Sequence, residues 1–244
     1  CLVGGFVITL LLSLFLVRTL VSSDHRVTLI ANHADSYQQQ LNIKQHQLQT
    51  QLINLAANSR LVDITSGGDP NERSIEEVVL RELIPDAIRV RIFTIGEAEI
   101  DRTSIPPFSF TSLDLVNRVE TGESVYPEAI NANGRWIVSV ASPIKSSERI
   151  VGTLFVYLEM SALTASLEEN IDGEVIVRQK VGNATPQDVL LIGSGKSPEV
   201  ASVERALDNP NWTAHYSPSA AIASQTAGAL FLYIIPAVTF LILG

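Results

Sequence analysis

The chain has 244 residues, 46% hydrophobic and 18% charged, with a formal net charge of −9. That length supports one or two domains with a packed core. The acidic balance without a basic cluster argues against nucleic acid as a partner, and a single cysteine, Cys1, excludes an intrachain disulfide.

No charged residue falls between Leu2 and Val17, and Arg18 is followed by Leu20 and Val21. A helix crossing a bilayer needs about 20 apolar residues. Residues 1–22 therefore read as a transmembrane helix. A cleaved signal peptide would show a clearer A-x-A-like site than "VSSDHR" offers, and a lipoprotein cysteine would lead into a polar tether. A long amphipathic helix follows, with Val27, Ile30, Ala34, Tyr37, Leu41, Gln45, Leu48, Leu52 and Leu55 at spacings of three or four. The seam is interrupted at Ala34 and Gln45. It can pack on its own domain, or pair two copies as a homodimer through this first long helix.

"SGGDPNER" reads as a loop, after which Ser74 and Glu77 form a capping box for "IEEVVLRELI". Pro85 ends that helix. "AIRVRIF" alternates as a strand, with Ile88, Val90 and Ile92 on one face and Arg89 and Arg91 on the other. A turn at Gly96-Glu97 is expected to lead into a short second strand near Glu99-Ile100. In "PPFSFTSLDLVNRVETGE", two prolines stop the preceding segment and Ser109 or Thr111 caps a helix. Leu113, Leu115, Val116 and Val119 form its apolar face, and Gly122 ends it. "SVYPEAI", "GRWIVSVASPI" and "RIVGTLFVYLEM" are strands, with turns at 131–134 and 145–148.

A smaller unit follows "SALTASLEEN". "GEVIVRQKV" and "DVLLIGSG" form a hairpin around Gly182-Asn183, and "NWTAHYSP" is another strand. This unit is either a degenerate second lobe or a membrane-proximal extension of the first sheet. Residues 227–244 are again uncharged and almost wholly apolar. The expected organisation is a transmembrane helix at 1–22, a sensor domain at 23–165, a small β unit at 166–222 and an incomplete transmembrane helix at 223–244. The fold class is α+β, with two transmembrane helices flanking an extracytoplasmic Cache/PAS-like antiparallel sheet that begins with a long helix. The lipid bilayer is then a partner, and the setting is a bacterial inner membrane with the central domain in the periplasm.

Reactive chemistry is absent from the pattern. "GSGKS" resembles the end of a phosphate-binding loop, but Leu190 stands where its first glycine is needed. His25, His33, His46 and His215 do not form a zinc pattern. Glu76 and Glu77 suit the first turn of a helix. Catalytic residues, metal ligands and cofactors are therefore expected to be none. A small-molecule ligand remains open. Arg89 and Arg91 could pair with an anion, and Trp136 and Tyr157 could wall a pocket. The plainer role of these four is a salt-bridged strand and two core aromatics.

"LIPDAIRVRIF", "PPFSFTSLDLVNRVETGE" and "WIVSVASPI…RIVGTLFVYLEMSAL", in that order, resemble the membrane-anchored, sensor-like N-terminal extension of bacterial phosphomannomutase/phosphoglucomutase proteins. The likeness spans about residues 83–163. It implies a tethering or regulatory region whose mutase domain lies after Gly244, with phosphorylated hexoses as substrates and magnesium as cofactor there. No phosphoserine loop, magnesium loop or sugar-binding loop is present here, so no catalytic residue carries over. The architecture equally suits the input domain of a transmembrane receptor, such as a chemoreceptor, histidine kinase or diguanylate cyclase.

Overall fold

A computed structural model describes residues 2–165, 167, 171–197 and 201–224, with side chains from residue 27 to residue 222. Its backbone is organised on one helix, α1 (Leu2–Ala56). The seam positions Ile30, Ala34, Tyr37, Leu41, Gln45 and Leu52 are buried, joined by Ala56, whereas Val27 is exposed. The seam is thus consumed by packing inside the chain. A homodimer through this helix would have to use another face, where Ile43 and Ile53 are exposed.

Two short helices follow. α2 (Ser59–Gly67) starts at Asn58, whose side chain accepts from the Arg60 amide, and stops at Gly68 with φ 76°. α3 (Pro70–Leu83) starts inside the expected loop, because Asp69 accepts from the Asn71 amide and Pro70 fits the first turn. Ser74 is therefore not a cap. Its hydroxyl donates back to the Pro70 carbonyl at 2.8 Å, and the Glu77 carboxylate accepts the Ile92 amide at 2.8 Å.

β1 (Ala87–Thr94) follows a turn at Asp86, whose φ is 61°. A register shift between Ala87 and Arg89 moves Ile88 off the face of Val90 and Ile92. An extra residue in a strand reverses the alternation locally, and Ile88 packs with the opposite core cluster. The expected strand near Glu99-Ile100 does not form. The loop instead makes one bridge, Asp101 to Phe108, with the Asp101 carboxylate accepting from the Thr103 amide and hydroxyl and from the Ser104 amide. These local bonds compete with strand pairing. Ile105-Pro106 is cis.

α4 (Phe110–Glu120) is capped by Ser109, which accepts from the Ser112 amide. The strands β2 (Glu128–Ala132), β3 (Arg135–Ser146) and β4 (Arg149–Glu159) complete an antiparallel sheet in the order β1-β4-β3-β2. Asn133 and Gly134, both at positive φ, make the two-residue turn between β2 and β3. Because the β2–β3 pairing ends at Glu128–Ser139, the far half of β3 has no strand on that side. Pro143 sits there, as proline requires.

After α5 (Ser161–Thr164), a second antiparallel sheet contains β5 (Gly173–Gln179), β6 (Gln187–Gly193), β7 (Val203–Ala206) and β8 (Trp212–Pro218) in the order β6-β5-β8-β7. These strands form a sheet of their own and add none to the first. β7 lacked a clear pattern because it is four residues long. α6 (Ala220–Ser224) ends the described part.

α1 unites the two sheets. Val175, Val177, Ile192, Trp212 and Tyr216 from the second sheet share one core with Val138, Val140, Leu154 and Val156 from the first. A separate cluster fills the far side of the first sheet under α4: Phe93, Phe108, Leu115, Val116, Val119, Ile137, Phe155 and Tyr157 among others. No helix among the described residues is long and apolar enough to cross a membrane. The expected span at 223–244 lies outside the described residues from position 225, and the side chains of the span at 1–22 also lie outside them.

Candidate functional site

The face of the first sheet under α4 gathers three of the four expected ligand residues. Arg89 is paired in register with Tyr157, and Arg91 with Phe155, so the two arginines and both rings emerge on one side. An aromatic ladder forms the floor. Phe93, Phe108, Phe155 and Tyr157 follow one another with ring centroids 4.7–5.2 Å apart, mostly tilted or edge-on. The Arg91 guanidinium lies 5.0 Å from the centre of the Phe93 ring.

Tyr157 is fully buried, and its hydroxyl meets Ser112 of α4 at 2.8 Å and donates to the Pro107 carbonyl at 3.1 Å. Burial pushes its phenol up to about 12, although the Ser112 bond and the fields of Arg89 and Arg91 pull the other way. It is therefore a neutral hydrogen-bonding group at physiological pH. One side chain thus fastens the helix and its proline-rich approach to the centre of the sheet.

The two arginines differ. Arg91 is half satisfied by Glu77, 3.5 Å away, whose carboxyl is raised by burial despite the Ile92 amide and that arginine. Arg89 has no carboxylate within ion-pair distance among the described residues. A planar guanidinium in that state can take a carboxylate through two parallel hydrogen bonds. Trp136 does not join this face. It packs half-buried with the α1-side core, because it lies one residue before Ile137, which points under α4.

A second polar constellation, at the junction of the sheets, was not legible in the sequence. The Gln179 amide oxygen accepts from the Ala129 amide at 2.8 Å and the Trp212 indole at 2.7 Å, while its nitrogen donates to the Ala129 carbonyl at 2.8 Å. Asn209, fully buried, donates to the Pro127 carbonyl at 2.7 Å. Only the pairing of distant strands brings these groups together. Near them, Glu128 is ion-paired with Arg118, and burial nevertheless raises its carboxyl.

No family model matches the chain, and no curated protein does. Solved structures do. The ligand-binding domain of the Campylobacter jejuni chemoreceptor Tlp3, in complex with L-norvaline, is 10% identical, with 84% of this chain and 94% of that one covered and a TM-score of 0.53. That of the Pseudomonas aeruginosa PAO1 amino acid chemoreceptor PctB, in complex with L-Gln, is 10% identical, with 86% and 97% covered and a TM-score of 0.50. The sensor domain of the V. cholerae histidine kinase DctB is 16% identical, with 82% and 98% covered and a TM-score of 0.46.

The fold resembles Cache-like sensor domains. At such identities the likeness extends to architecture alone, and it is an α+β architecture of two antiparallel sheets. Nothing in the fold or among these neighbours supports the expected link to a sugar-phosphate mutase.

Proposed function

We propose that this chain is the ligand-binding input domain of a transmembrane receptor, held outside the cytoplasm by membrane helices at 1–22 and 223–244. The observation that carries the reading is the pair of antiparallel sheets on one long helix, shared along nearly the full length of two chemoreceptor ligand-binding domains. The site is the α4 face of the first sheet, and the ligand is a small carboxylate. Arg89 supplies the charge, and the buried aromatic ladder supplies the apolar wall. Tyr157 supplies the coupling, because a ligand that competes for its hydroxyl loosens the bonds to Ser112 and Pro107. The ligand shifts the population of α4 positions by its difference in affinity for them, and by no more than that.

Thermal unfolding of the full chain with a panel of amino acids and dicarboxylates tests the proposal. A ligand at a hundred times its Kd stabilises by about 2.7 kcal/mol, which is roughly 5–10 °C for a chain of this size. Arg89→Ala should abolish that shift. A carboxylate that protects Arg89→Ala as well as the parent chain would refute the site. Failure of every carboxylate would refute the ligand class.

A further inference from the structure

A groove of about 920 Å³ runs between α1, the loop after α4 and the open half of β3. It lies at the edge of the first sheet, apart from Arg89 and Tyr157, neither of which lines it. Two of its lining residues have buried side-chain polar groups without a partner among the described residues. Gln45 is 2% exposed, and neither its amide oxygen nor its nitrogen is hydrogen-bonded there; Ser142 is 2% exposed, and its hydroxyl has no partner there. Buried polar groups are overwhelmingly paired, so a buried amide with both ends free, beside a free hydroxyl, calls for an explanation. Gln45 is also the polar break in an otherwise apolar helix seam, where leucine would pack at no such cost.

The rim has a different character. Lys145 stands exposed on β3, Glu123 on the loop after α4 and Asp208 on the second sheet's side, while Tyr126 adds a half-exposed ring. No ion pair involves Lys145 among the described residues. A neutral floor that offers an amide donor, an amide acceptor and a hydroxyl, beneath a rim of both charges, matches a molecule with backbone amides in its middle and opposite charges at its ends.

We propose that this groove is a second ligand site, and that it takes a short peptide. One residue of the peptide pairs with the Gln45 amide through its own N–H and C=O, each partner donating once and accepting once, and the Ser142 hydroxyl donates to the carbonyl of the preceding residue. The peptide carboxylate faces Lys145, and its ammonium faces Glu123 and Asp208. The open strand edge of β3 beside the groove can receive the backbone of the same peptide.

The test is calorimetric titration of the full chain with L-alanyl-L-alanyl-L-alanine, with free L-alanine as the control that lacks internal amides. The tripeptide should bind, and L-alanine should not bind at this groove. Gln45→Leu should raise the melting temperature of the ligand-free chain and weaken tripeptide binding by roughly tenfold or more, as expected when a site's polar contact is lost. Ser142→Ala should weaken it less, and Arg89→Ala should leave it unchanged. That last variant separates this site from the α4 face, where the same substitution removes binding. Equal affinity for the tripeptide in Gln45→Leu and the parent chain would overturn the proposal, as would no heat of binding in the parent chain.

Discussion

Replacing Gln179 by alanine should nearly halve the stability of the chain. The side chain makes three hydrogen bonds, to both backbone groups of Ala129 and to the Trp212 indole. Ala129 is 2% exposed and Trp212 1%, so alanine leaves three buried polar groups without partners. Each such loss costs about 1–3 kcal/mol. Water entering the vacated space recovers part of it, which puts the total at about 3–6 kcal/mol, against about 5–15 kcal/mol for a whole fold. Gln179→Glu is a sharper variant, because it keeps the acceptors but faces the Ala129 carbonyl with a carboxylate. Urea unfolding followed by tryptophan fluorescence reads the outcome. The two tryptophans, Trp136 and Trp212, lie in different sheets. The parent chain should lose both signals together, and Gln179→Ala should separate them, with Trp212 shifting first. A single transition displaced by less than about 1 kcal/mol would refute the idea that one amide fastens the two sheets.

Other substitutions probe separate links. Gly152→Ala should prevent normal folding, since its methyl group would lie 2.1 Å from the Phe93 carbonyl oxygen and 2.5 Å from a Thr65 methyl carbon; soluble yield and circular dichroism check this. Tyr157→Phe should cost about 1–3 kcal/mol by removing the donor to the Pro107 carbonyl and one of the two partners of the buried Ser112 hydroxyl, and amide exchange in α4 should speed up. His215 is held below its ordinary pKa, first by burial and then by Arg178. A depressed histidine favours the neutral, folded form, so its contribution is present above the unfolded value of about 6.5 and is lost as pH falls through the folded value. Melting curves of the parent chain should therefore lose more between pH 7 and acid than those of His215→Gln.

The sequence displayed periodicity well and chemistry poorly. β1, β3 and β4 were legible because β-branched residues alternate cleanly and Asn133-Gly134 marks the turn. Ser109 announced α4. The start of α3 was misplaced because Asp69-Pro70 and Ser74 are both credible starts, and only the position of the helix against β1 decides between them. Ile88 could not be placed, since a bulge is a property of two paired strands. The arginines and Tyr157 were brought together by alternation within β1 and pairing with β4, while the same alternation puts Trp136, one residue before Ile137, on the opposite face. Gln179 and Gln45 were invisible as partners, the first across 50 residues and the second because its partners are missing among the described residues.

The path of the chain has a mechanical consequence. α1 first meets the second sheet, through Asp35 to Arg205, Gln38 to the Ala206 carbonyl and Asn42 to the Asp208 amide. It reaches the first sheet only afterwards, where Gln49 donates to the Val125 carbonyl. The chain then builds the first sheet entire before returning to lay down the second. The first sheet is thus a loop of the path, and α1, the leg that enters it, is pinned to the second sheet before it gets there. A shift of α1 against the first sheet therefore has to strain or break those polar ties on the second.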